Sequence, residues 1–221
     1  MCGRFVSTTP AEAIARMVKA VNPVPNFAPS WNIAPSQQAM AVRRHPKTGE
    51  RHLDLLTWGF VPHWADDLKT ERKPINARAE TVASSPMFRA AFPHNRCLVP
   101  ADVYYEWQAA PDGKQPYAFA RQDGALMMLA GLWDIWQGAD GARLRSFTLI
   151  TTDANDIASP IHDRMPVIVE TEGWPLWLGD EDGDARALLR PASNAILKAW
   201  PVSRRVNSPA NNDAQLLEEL R

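Results

Sequence analysis

Residues 97–107 read CLVPADVYYEW. The run is rich in β-branched and aromatic side chains, and its second half alternates cleanly. In an extended chain Val103, Tyr105 and Trp107 fall on one face and Tyr104 and Glu106 on the other. Downstream, PDGK (111–114) has turn chemistry, and PYAFAR (116–121), ALMMLAGLW (125–133) and RSFTLITT (145–152) repeat the same apolar composition punctuated by glycine. The middle third of the chain is therefore read as sheet.

Working outward toward the start, AMAVRR (39–44), HPKTGE (45–50) and HLDLLTWGF (52–60) read as strand, turn and strand. TPAEAIARMVKA (9–20) has helix signals: Thr9 as N-cap, Pro10 at the first helical position, Glu12 closing a capping box, and Ile14, Met17 and Val18 on one face. VNPVPNFAPS (21–30) is too short and apolar for a linker and reads as an irregular segment packed on the fold. SSPMFRAAF (84–92) suggests a short helix with Pro86 near its start. Beyond PVIVE (166–170), the stretches GWPLWL (173–178), DARALL (184–189) and NAILKAW (194–200) have the composition of short helices. The expectation is an α+β fold: one domain over 1–221 with a largely antiparallel, barrel-like β core and peripheral helices.

The chain has 221 residues, enough to bury a large core, and a formal charge of -1, so nucleic-acid contact would need a local basic surface. Cys2 and Cys97 are the two cysteines, with no CxxC, a usage that suits a reducing compartment. No apolar run approaches the roughly 18 residues of a membrane span, and no leader pattern precedes the fold. The expected location is the cytoplasm. The histidines and cysteines have no metal-ligand spacing, so neither metal nor cofactor is expected.

Four positions carry candidate chemistry. If Met1 is removed, Cys2 presents a free amine and a thiol on adjacent carbons, which no internal residue can offer. Glu106, flanked by aromatics, is either a strand glutamate paired with an arginine or a carboxylate whose apolar setting suits it to passing protons. His162, in SPIHDRMP (159–166), sits between Pro160 and Pro166, which hold the backbone around it, or else it is an ordinary surface histidine. In PINARAET (74–81), Asn76 and Arg78 share a face if the segment is extended, an amide beside a phosphate-suited fork; the plainer reading is a turn asparagine and a surface arginine. Arg4 repeats the basic theme near Cys2.

Taken in order, MCGRF, WNIAPSQ, WGFVPHWA, PINARAET, RCLVPADVYYEW, LAGLWD, FTLITTDAN and IHDRMPVIV resemble the SOS-response-associated peptidase family of abasic-site processing proteins. The resemblance is clearest over residues 1–170. It implies that Cys2 crosslinks to an abasic site in single-stranded DNA, with Asn76 positioning it, Glu106 shuttling protons, and His162 assisting sugar opening and reversal. By the same resemblance, peptidase and lyase activities are implied. Arg4, Arg78 and Arg164 are the candidate phosphate contacts, and Trp64 and Met87 the candidate base contacts. The expected protein is a monomer, drawn to the nucleoid by damaged DNA. Two rivals stand beside this: an N-terminal-nucleophile amidohydrolase using the same cysteine, and a non-catalytic single-stranded DNA-binding module using Arg43, Arg44, Lys69, Arg72 and Lys73.

Overall fold

The alternation of the 97–107 stretch becomes two strands broken at Asp102. In the computed structural model, which describes residues 2–68 and 73–220, the strands are β1 (Arg4–Ser7), β2 (Ser30–Ile33), β3 (Gln38–Arg44), β4 (Arg51–Trp58), β5 (Asn76–Arg78) and β6 (Arg96–Ala101). They continue with β7 (Val103–Ala110), β8 (Gly113–Arg121), β9 (Met127–Gln137), β10 (Arg143–Asp153), β11 (Arg164–Pro166) and β12 (Leu197–Pro201). Two α-helices, α1 (Ala11–Val18) and α2 (Trp174–Leu178), and several short 3-10 turns lie around them. The fold is α+β, a compact barrel-like antiparallel core with peripheral helices.

Five strands form one sheet in the order β12-β8-β7-β1-β2. Five of the others close a ring, because β4 pairs β3, β3 pairs β6, β6 pairs β9, β9 pairs β10, and β10 returns to β4, while β5 and β11 attach to β10. Most pairs are antiparallel. The two exceptions both involve β10, which runs parallel to β4 and to β5.

Burial follows the two-residue period. Ala39, Ala41, Leu56, Trp58, Cys97, Val99, Phe147 and Leu149 point toward Phe5, Tyr104 and Phe119 of the five-stranded sheet and make one core with them. Their neighbours Met40, Val42, Leu53, Leu98 and Ile150 face the other way and are covered by Ile14 and Val18 of α1 and Trp174 and Trp177 of α2. Phe27, from the irregular 21–30 segment, packs against both. Gly131 lets β9 approach its neighbours closely: a Cβ there would stand 2.8 Å from the Thr148 carbonyl oxygen and 3.0 Å from Cys97 Sγ.

Three local expectations change. Thr9 does not cap α1; its amide and that of Thr8 donate to the Asp102 carboxylate at 3.0 and 2.6 Å, and Pro10 takes the N-cap place. Residues 84–94 form successive turns instead of a continuous helix, with Ser85 O accepting from the amides of Phe88 and Arg89. In NAILKAW only Asn194–Ile196 make a 3-10 turn, and Leu197–Pro201 pair with β8 as β12. There Ala199 faces the inner core and Trp200 the outer face, a strand's alternation overriding the helical propensity of Ala, Leu and Lys.

Candidate active site

Cys2 leads into β1, which lies between β7 and β2 inside the five-stranded sheet. Its side chain is fully buried. Loss of water raises the thiol pKa above its ordinary value, and the Glu106 charge raises it further. The sulfur therefore keeps its proton at neutral pH, making one long contact, 3.7 Å, to the Arg4 carbonyl.

Asn76 reaches this residue from the ring. β5 lies parallel on β10 with Asn76 opposite Leu149, and the Ile75 carbonyl is fixed by the Leu149 amide at 3.0 Å and the Trp58 indole at 2.9 Å. From there Asn76 Nδ2 donates to the Cys2 carbonyl at 2.8 Å. Its Oδ1 is buried without a partner among the described residues. Glu106 comes from β7, 3% exposed and on the same strand face as Tyr104, with Oε1 accepting from the Trp107 amide at 3.2 Å.

His162 sits on the connection between β10 and β11. Its amide donates to the Ala158 carbonyl at 2.9 Å, and Gln108 Nε2 donates to the Pro160 carbonyl at 2.8 Å. Gln108 is two residues beyond Glu106, so β7 holds both the carboxylate and the histidine loop. His162 Nδ1 faces two groups, the Arg164 amide at 3.0 Å and the Asp163 carboxylate at 2.8 Å. It cannot accept from the first and donate to the second at once. The amide is fixed by β11 while Asp163 is largely exposed, so the amide bond to Nδ1 is the one that the fold holds in place.

The remaining candidates divide. Arg78 is exposed and shares the β5 face with Asn76. Trp64 is 47% exposed, on the connection from β4 that ends in β5. Arg4 is half-buried opposite Tyr105, its Nη1 donating to the Gly3 carbonyl, and burial lowers its pKa. Met87 packs partly buried against the helix-covered core. Arg164 does not offer itself to a phosphate: the residue is 7% exposed and its guanidinium grips Glu80 at 2.8 and 2.9 Å, Asp153 at 2.7 Å and the Thr151 carbonyl at 2.7 Å. It braces the β10–β11 turn.

The basic surface imagined for a plain DNA-binding module is also partly consumed. Arg43 is buried, ion-paired to Asp54 at 2.6 Å and stacked over Trp133, and Arg44 donates to the Gly49 and Gly179 carbonyls. Lys73 is exposed, whereas Lys69 and Arg72 lie outside the described residues. Gln108 escaped the sequence reading, although its period-two relation to Glu106 was there to be used.

A cavity of about 990 Å³ lies between the β3–β4 turn and the end of α2, lined by Arg44, Lys47, Arg89, Arg96 and Asp184, away from Cys2. A smaller one, about 540 Å³, borders the histidine loop at Gln108, Tyr117, Pro160 and Ile161. Chemistry, not cavity size, marks the site. Among the described residues, no group of three or more His, Cys, Asp or Glu side chains could hold a metal ion, and no helix is long and apolar enough to cross a membrane.

The family model described as SOS response associated peptidase (SRAP) matches residues 1–209. The chain is 37% identical over 224 residues to the abasic site processing protein YoqW of Bacillus subtilis, covering 99% of each. It is 31% identical over 232 residues to the abasic site processing protein YedK of Escherichia coli, covering all of both. A crystal structure of a Bacteroides thetaiotaomicron protein superposes over the full length of both chains with a TM-score of 0.88 at 23% identity, a likeness of fold.

Proposed function

This chain belongs to the SOS response associated peptidase (SRAP) family, and from that membership we propose that it binds single-stranded DNA at abasic sites and captures them covalently through Cys2. The observation that carries the reading is the clamp on Cys2: Asn76 holds its carbonyl at 2.8 Å while the buried Glu106 lies close enough to perturb its thiol.

Removal of Met1 uncovers the Cys2 amine, which is partly neutral near pH 7. The amine adds to the aldehyde carbon of the ring-opened deoxyribose and water leaves, giving an imine. The sulfur then adds to the same carbon, an S–C bond forms, and the thiol proton ends on the nitrogen. The product is a five-membered thiazolidine, with one water released overall. Its second step is intramolecular, which favours it entropically.

Glu106 accepts and returns the protons in this sequence, and His162 donates to the sugar oxygen during opening or reversal. Arg78 contacts phosphate and Trp64 stacks on an unpaired base. Single strands suit a recessed reaction centre because the sugar enters without disrupting a duplex. The peptidase activity in the family description corresponds here to release of what precedes Cys2; reversal of the ring takes back one water and returns the aldehyde and Cys2, whereas lyase chemistry is a separate β-elimination of the 3′-phosphate from the imine.

Mixing the mature protein with an abasic oligonucleotide and running a denaturing gel tests the reading. The expected result is a stoichiometric, heat-stable adduct that vanishes in Cys2→Ala. Ammonia release from glutamine with no adduct would instead make the protein an amidohydrolase, and equal binding of intact and abasic strands without adduct would make it a simple binding module.

A further inference from the structure

The inner face of β7 carries a second polar group beside Glu106. Tyr104 is 1% exposed, and its ring stacks on Phe119 at 4.7 Å with 5° between the planes, so packing fixes its direction. Its hydroxyl is buried and has no hydrogen-bond partner among the described residues. Such an interior hydroxyl costs stability, and phenylalanine would fill the same space without that cost.

Its neighbourhood is the reaction site. Tyr104 stands opposite Phe5 in the β1–β7 register, three residues from Cys2, and both side chains belong to the same buried core. Burial, with Cys2 and Glu106 both near enough to oppose its ionisation further, holds the phenol protonated and therefore a donor. Asn76 Oδ1, on the side chain that holds the Cys2 carbonyl, is likewise buried without a partner among the described residues. Two unsatisfied polar atoms thus belong to residues that border Cys2.

We propose that the Tyr104 hydroxyl is a hydrogen-bond donor of the reaction site, satisfied by the Cys2 sulfur as that sulfur closes the ring. The inference rests on the reading of Cys2 as the capturing residue. In the closing step the sulfur loses its proton through Glu106 toward the imine nitrogen and gains carbon. Tyr104 transfers no proton and supplies a donor to the negative charge that develops on sulfur meanwhile. The imine step, which involves nitrogen and carbon, has no need of it.

Tyr104→Phe in the mature protein tests this, with glycolaldehyde and an abasic oligonucleotide as parallel probes. Imine formation is followed by borohydride trapping, ring closure by mass, and stability by Tm. Ring closure with both probes is expected to slow roughly 10- to 100-fold, the range of a hydrogen bond to a charged group. Imine formation should keep its parental rate, and Tm should hold or rise by about 2–4 °C. Parental closure rates, equal slowing of both steps, or a fall in Tm would each overturn the proposal, the last by making the hydroxyl structural. A parent that closes the ring with glycolaldehyde but ignores abasic DNA defeats the DNA reading alone, and the comparison with Tyr104→Phe still decides the role of the hydroxyl. A parent that closes no ring with either probe defeats both.

Discussion

Cys2 is presented as a thiol, not a thiolate. Burial and the Glu106 charge both hold the proton on sulfur, which suits the proposed order, nitrogen first and sulfur second. Glu106→Gln keeps the shape and removes the charge. Adduct formation in single-turnover gels should slow about 10²- to 10⁴-fold. Alkylation of Cys2 by iodoacetamide should become faster, because the carboxylate no longer opposes thiolate formation. An unchanged adduct rate would remove Glu106 from the proton path. Arg78 has a different signature: it is exposed on the same face as Asn76, so Arg78→Ala should weaken strand binding and lower the salt slope of log K by about 0.7. Anisotropy titrations at several ionic strengths read that slope, and an unaltered one would mean that no phosphate sits there.

At the scale of the element, Arg164 joins β10 to the strand that follows the histidine loop and to Glu80 after β5. Arg164→Ala should cost about 1–3 kcal/mol by urea unfolding, since it removes a buried hydrogen bond to the Thr151 carbonyl and releases two carboxylates. It should leave the salt slope of DNA binding alone, the opposite of Arg78→Ala. What could be read beforehand was whatever alternation alone decides: the VYYEW faces and the β3–β4 hairpin. Arg164, named as a candidate phosphate contact, is occupied instead by Glu80, 84 residues away, a neighbour that only the tertiary fold reveals. NAILKAW misled for a related reason. Its residues favour a helix, but the edge of β8 needed a partner, and only the tertiary arrangement reveals that vacancy. Thr9 was claimed by Asp102 in the same way, through a contact 93 residues distant in the chain.

Over the whole molecule, the fold holds several weak acids neutral. Burial raises the pKa of Cys97 as it does that of Cys2, and the phenols of Tyr104 and Tyr105 are raised as well. In the unfolded chain the thiols ionise near an ordinary value of 9.0. Below that pH both states hold these protons and stability is unaffected. Above it the unfolded chain releases protons that the native state keeps, so stability falls as pH rises, by up to about 1.4 kcal/mol per pH unit for each such group. Urea midpoints at pH 8, 9 and 10 should decline progressively, and Cys97→Ala should flatten the decline by one group's share. A parallel decline in parent and variant would mean that Cys97 ionises as freely in the native protein as in the unfolded one.

Both edges of β10 are occupied over the stretch that serves the site: β9 and then β11 along one side, β4 and then β5 along the other. Asn76 and the segment bearing His162 are thus indexed to a single ruler. A shift of β10 would therefore displace both side chains together, although neither lies on β10 itself.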